Sequence, residues 1–275
     1  MGTSHRHTPT IHNQPNWGDA SSAMTGVATA IDESDKLEKN PPKTLKPSQI
    51  SKKQSSLDKR IRSNYHRVVR NWMRAVGGRS RVSSGTTKAV GYSGVIMAGG
   101  LASVFQEIIS NGLDGWLKSR GIESLEGKKC QDILDIIRQY LDTGVAGLDN
   151  TAANEALEHI LDILGSKMGD DATAYDGVMN EILSAEGIKD LLDEFFGIYI
   201  FSHLSQNFKE KLEYDKGTET MCHTMEEIKD LIVDDIRIAR SGRSARSIDW
   251  STPDGEAFIK EEFDRILYIL SGNED

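Results

Sequence analysis

"AYDGVMNEILSAEGIKDLLDEFFGIYIFSHLSQNFKEKL" occupies residues 174–212. Its apolar residues recur at helical spacing rather than in two-residue alternation, and the run reads as two helices joined near Ser184–Gly187. The same theme extends in both directions. "KKCQDILDIIRQYLD" (128–142) places Ile133, Leu134, Ile137, Tyr140 and Leu141 on one face. "TAANEALEHILDILG" (151–165) starts with Thr151 as a candidate cap and carries Leu157, Ile160, Leu161 and Leu164. "TMEEIKDLIVDDIRIAR" (224–240) opens with a Thr–Glu spacing that resembles a capping box. "TPDGEAFIKEEFDRILYILSG" (252–272) brings Phe258, Phe263, Ile266, Leu267 and Leu270. No sustained strand pattern interrupts these segments. The expected fold is therefore all-α, an irregular multi-helix bundle of about seven to nine helices, with no fixed-period repeat.

Upstream, "DKRIRSNYHRVVRNWMRA" (58–75) gives a stripe of Ile61, Tyr65, Val68, Val69, Trp72 and Met73 among five arginines, closed by Gly77-Gly78. The following stretch, 79–113, is rich in small residues, and predicts a short helix near 84–92 and a longer one near 93–111. Residues 1–55 hold few large aliphatics, and "KNPPKTLKPSQISKKQSS" (39–56) reads as solvated linker. The expected organisation is a disordered basic N-terminal arm and linker over 1–55 and a helical domain over 56–275.

Charge divides further along, near residue 91. Residues 1–91 carry 16 Lys and Arg against 6 Asp and Glu, while the whole chain has a formal net charge of −9. A basic arm on an acidic body suits nucleic acid or an acidic protein face, and equally suits a solubilising tail. Cys130 and Cys222 form no CxxC pair, which excludes a disulfide framework and a zinc module and fits a reducing, cytoplasmic setting. The polar start predicts no signal peptide, and the apolar run 94–105 is shorter than the ~20 residues of a membrane span, so no membrane partner is expected.

Chemical signatures are sparse. "GGRSRVSSGTTK" (77–88) has glycines and Lys88 but no Gly-Lys-Ser/Thr step, so close helix packing explains it better than a phosphate cradle. Glu155/His159 and His223/Glu226 share helix faces but belong to no doubled metal motif, and residues 149–157 lack the spacing of a calcium loop. No nucleophile with its base is recognisable, and no catalytic residue or metal site is assigned. Arg237, Arg240, Arg243 and Arg246 recur every three residues and offer forked donors to phosphates or an acidic partner, or simply terminate an exposed helix.

The chain begins "MGTSHRHTPTIHNQPNW" (1–17). The small Gly2 permits removal of Met1. Myristoylation fails because Arg6 stands where Ser or Thr is required. After loss of Met1, His5 misses the amino-terminal copper and nickel register by one residue, leaving His5, His7 and His12 as weak metal binders. A free α-amine, titrating near pH ~7.7–8.0, remains a usable nucleophile.

"MGTS", Pro15-Asn16-Trp17, the Arg-rich helix, "VSSGTTKAVGYSG" (82–94) and the helical body together resemble the QatB family. The likeness covers nearly the whole chain in layout. It implies a non-enzymatic component of the Qat antiphage systems, which also contain an ATPase, a QueC-like enzyme and a TatD-like nuclease. It further implies that the QueC-like enzyme, which activates a 7-deazaguanine carboxylate, joins that group to the amine of Gly2. Thr3 and Ser4 would then be read by the partner, and Trp17 would anchor the arm. No cofactor is implied beyond that covalent 7-deazaguanine. His5-Arg6-His7 depart from the small, Gly-rich continuation associated with the family. The competing expectation is a nucleic-acid-binding or scaffolding adaptor that uses the Arg-rich helices.

Overall fold

The architecture comes from a computed structural model that describes residues 13–122, 127–142, 144–169, 175–240, 248–250 and 252–274. Among them are ten helices and no strand: α1 (Trp17–Lys39), α2 (Pro47–Ala75), α3 (Arg79–Ser83), α4 (Tyr92–Ser119), α5 (Cys130–Leu141), α6 (Leu148–Met168), α7 (Tyr175–Ile182), α8 (Ala185–Lys216), α9 (Thr218–Arg240) and α10 (Pro253–Leu270). The all-α expectation holds, with more helices than the pattern suggested.

α8 is the axis of the bundle. Leu192, Phe195, Phe196, Tyr199, Ile200, Leu204 and Phe208 are all fully buried. They cover more than one face, and a helix apolar on several faces belongs inside a protein. α1, α4, α6, α9 and α10 all pack on it. Phe196 stacks on Phe263 of α10 with centroids 4.3 Å apart. One turn below, the Arg265 guanidinium donates to buried Asp193 at 3.0 Å and to Glu262, tying α10 to α8. Burial alone would lower the Arg265 pKa, but the hydrogen bond to Glu262 and the Asp193 charge carry it above its ordinary value.

The disordered arm expected over 1–55 is corrected from Trp17 onward. Residues 17–39 form α1, and the boundary placed at 55/56 lies inside α2. The reason is alanine. Ala20, Ala23, Ala28 and Ala30, with Met24, Val27 and Ile31, make a thin buried face against α2. Alanine favours helix and permits close approach, yet adds little to a count of large aliphatics. Pro41 and Pro42 fall in the α1–α2 turn, and Pro47 opens α2 at a position that needs no amide donor. The stripe of α2 is buried as patterned, from Ile61 to Met73. Residues 1–12, including Gly2, Thr3 and Ser4, lie outside the described residues.

Four local expectations change. The short helix falls at 79–83 rather than 84–92. α6 starts at Leu148, so Thr151 is inside it and its hydroxyl donates back to the Gly147 carbonyl at 3.1 Å. α9 starts at Thr218, which makes Thr224 an interior residue whose hydroxyl donates to the Thr220 carbonyl at 2.7 Å. Tyr140 stands half exposed beside α5's buried face, with the Arg120 guanidinium 4.3 Å from its ring centre. Of the two cysteines, Cys130 is partly buried and Cys222 is exposed.

α4 passes a length-and-apolarity test for a membrane span, but half of that window is buried inside the bundle. Its helix breaks at Gly112 (φ 73°), where Asp176 of α7 accepts the Leu113 amide at 2.6 Å.

Replacing Arg265 with Leu should destabilise the chain by about 3–5 kcal/mol, because two buried carboxylates lose their guanidinium. Urea unfolding followed by circular dichroism measures it. A change below about 1 kcal/mol would show that the triad is not needed between α8 and α10.

Candidate functional site

The small-residue segment 82–94 is held by a buried polar cluster. Gly78 starts α3, and after Ser83 the chain turns through Gly85 and Gly91 before α4 begins at Tyr92. Gly91 adopts φ 106°, and a Cβ there would lie 2.1 Å from the Val82 carbonyl oxygen. Only glycine fits both conditions. At Gly94 a Cβ would come within 2.7 Å of the Tyr199 ring, so α4 can approach α8 this closely only without a side chain.

Into this turn α6 inserts Asp149. Its Oδ2 accepts the Ser93 amide at 2.6 Å, and its Oδ1 accepts the Gly91 amide at 3.1 Å. The Tyr199 hydroxyl donates to the same Oδ1, and itself accepts from the Gly91 amide at 2.6 Å. His203 Nε2 lies 3.1 Å from Oδ1, one turn along α8, with its ring 5.7 Å from that of Trp72 on α2. Asp149 is 6% exposed, His203 1% and Tyr199 0%.

The electrostatics follow from these contacts. Burial pushes the Asp149 carboxyl up, but hydrogen bonds from His203, Tyr199 and the Ser93 amide prevail and leave its pKa below the ordinary 3.8. Burial and the Asp149 charge push Tyr199 well above its ordinary value. Asp149 is thus an anion at the N-terminus of α4, where the helix dipole favours one. It fills the place a bound phosphate would take in a nucleotide loop. The segment is a helix start clamped by the chain's own carboxylate, which gives the physical reason that Lys88 and the glycines make no cradle.

The other sequence-derived residues are dispersed. Trp17 opens α1 and stacks on Phe208 of α8, with centroids 5.0 Å apart and planes 5° from parallel. Arg237 is exposed and pairs with Asp234 at 3.2 Å. Arg240 ends α9, its side chain outside the described residues, as are Arg243 and Arg246. The arginines of α2 and α3 largely serve the fold. Arg60 pairs with Glu33, Arg62 with Asp235, Arg70 with Glu274 and Arg79 with Asp264. His159 faces Glu194 at 4.0 Å, and His223 meets Asp35 at 3.0 Å rather than Glu226. Burial holds His159 below its ordinary pKa. Among the described residues no three His, Cys, Asp or Glu side chains converge as a metal site.

Among the described residues, clefts open at several places on the surface. One of about 740 Å³ lies between α1, α2 and α9, lined by Asp32, Asp35, Asp58, Glu219 and Glu227 beside Lys36, Lys39 and His223. A second, about 670 Å³, lies between the end of α1 and the start of α2. A third, about 370 Å³, lies between α4 and the start of α10.

Sequence reasoning missed Asp149, Tyr199 and His203. Their partners lie 50 or more positions away, and nothing local marks Asp149 beyond its place at a helix start. The glycine pair in 82–94 was the available signal.

The result is an all-α scaffold in which one buried polar cluster holds a glycine-rich turn. The family model for the Qat anti-phage system associated protein QatB matches residues 82–270, from that turn to the last residue of α10. The chain belongs to the QatB family, a component of the Qat anti-phage system. Residues 1–81, with Gly2, α1 and α2, precede the matched span. No curated protein matches the chain. No solved structure matches it either.

Replacing Asp149 with Asn should cost about 2–3 kcal/mol, the worth of hydrogen bonds to a charged group. The gap should depend on pH. A carboxyl whose folded pKa is depressed stabilises fully above its unfolded value and loses that contribution as pH falls through the folded one. Thermal unfolding should show a constant gap between parent and Asp149→Asn above pH ~5, narrowing below about pH 4. A gap that widens in acid contradicts this assignment.

Proposed function

We propose that the chain is a non-enzymatic, cytoplasmic component of the Qat system, whose reactive group is the amine of Gly2 exposed on removal of Met1. A QueC-like enzyme of the system would be its partner. ATP activates the carboxylate of a 7-deazaguanine on that enzyme. The neutral amine of Gly2 attacks the acyl carbon, a C–N bond forms, the activated oxygen departs and the nitrogen loses a proton. The product is an amide. Thr3 and Ser4 enter the partner's site with Gly2.

Family membership carries this reading, because the QatB family is associated with the Qat anti-phage system. The fold supports it in two ways. The two buried polar clusters around Asp149 and Arg265 are engaged in packing. And Trp17 is seated on Phe208, fixing where the arm leaves the body. Fifteen residues separate Gly2 from Trp17, and at ~3.3 Å each they reach at most ~50 Å, enough to enter a neighbouring enzyme. In this reading Trp17 anchors the arm to its own body. The nucleic-acid alternative loses support from the same structure, since Arg60, Arg62, Arg70 and Arg79 are already paired with carboxylates.

Intact mass after co-expression with the QueC-like enzyme and its deazaguanine precursor tests the proposal. The expected result is loss of Met1 and gain of one deazaguanine acyl group, placed on Gly2 by fragmentation. An unmodified mature mass, with the enzyme active and its precursor present, overturns it.

A further inference from the structure

The 370 Å³ cleft between α4 and α10 shows a second surface, independent of Gly2. α4 presents Tyr92 and Ile96, 42% and 43% exposed, one turn apart on one face. The same face continues through Gly99 to Ser103, which line the cleft with Ile259. A ridge of large apolar side chains therefore runs directly into a groove.

Among the described residues nothing requires a glycine at Gly99. It sits in mid-helix without a positive φ, and a Cβ there would meet no described atom within 4 Å. Glycine in a helix interior costs stability, so its value lies in what approaches from outside. Gly91 and Gly94, by contrast, are explained by Val82 and Tyr199.

The rim of the cleft carries one charge of each sign. Glu256 and Lys260 stand four residues apart on α10, and both line the cleft. Neither makes an ion pair among the described residues, whereas Glu262, Asp264 and Arg265 further along α10 do. A face with a ridge beside a groove, and an unpaired acid beside an unpaired base, is complementary to itself. Two-fold contacts require that property, because each patch must meet its own copy.

We propose that this face joins two copies of the chain in a two-fold dimer, with Ile96 of each copy seated against the other's Gly99 and Glu256 of each facing Lys260 of the other. Close approach of the two α4 helices is what Gly99 permits.

Sedimentation velocity of the full chain up to about 100 µM, where even micromolar association is populated, provides the test. The parent should sediment as a dimer, and Ile96→Glu as a monomer with unchanged circular dichroism. At low salt Glu256→Lys or Lys260→Glu alone should weaken the dimer at least tenfold, and the double exchange should restore it. A parent that stays monomeric overturns the proposal, and so does a dimer indifferent to Ile96→Glu. If the double exchange fails to rescue, the two-fold register is wrong. If a monomeric parent instead captures another component of the system, and loses it on Ile96→Glu, the face belongs to that partner.

Discussion

One carboxylate organises the centre of this protein. Asp149 reaches from the first turn of α6 to the first turn of α4 and satisfies two backbone amides there. Tyr199 and His203 of α8 complete its shell. Three helices are thereby fixed around the turn that ends at Gly91 and the first turn of α4 with Gly94, and a Cβ at either glycine would clash with Val82 or Tyr199. The arrangement is costly to violate. Buried polar groups are worth little when paired and a great deal when orphaned, so the cluster works as a register lock. The helix start of α4 is where a nucleotide-binding protein would hold phosphate. Here the position is taken by a side chain, and the site becomes architecture.

The charge asymmetry between the two parts of the chain has a similar resolution. The basic N-terminal part lies on the acidic body. Arg62 and His66 both contact Asp235 of α9, Arg70 contacts Glu274, and Arg79 and Ser83 share Asp264 of α10. The α1–α2 hairpin, which precedes the span matched by the family model, is thus bound to that span by complementary charge as well as by Tyr65 and Trp72. A basic stretch suggests an external anion only until internal acids are counted.

Helix type and most core faces were legible from spacing alone, as α2, α5 and α10 show, because long apolar stripes at helical period report burial directly. Helix ends were less so. Thr151 and Thr224 are good caps by residue type, yet α6 and α9 begin three and six residues earlier, at Leu148 and Thr218. α1 escaped because alanines bury little area each, and disorder was inferred from a shortage of large side chains. The Asp149 cluster escaped for another reason: a hydrogen bond across 50 or more residues leaves no mark on a single sequence. Glycines were its trace, and they announced close packing without naming the partner.

Under the proposed function this member of the QatB family is the acceptor in another protein's reaction. An acceptor is consumed once, while a catalyst is not. The decisive measurement is therefore stoichiometric: ATP consumed in a purified mixture of the QueC-like enzyme, the 7-deazaguanine carboxylate and limiting chain, with ammonia excluded. The account predicts a stop at one conjugate per chain and no chain-dependent consumption when the α-amine is acetylated. Continued turnover beyond one equivalent, or an undiminished reaction with the acetylated chain, contradicts it.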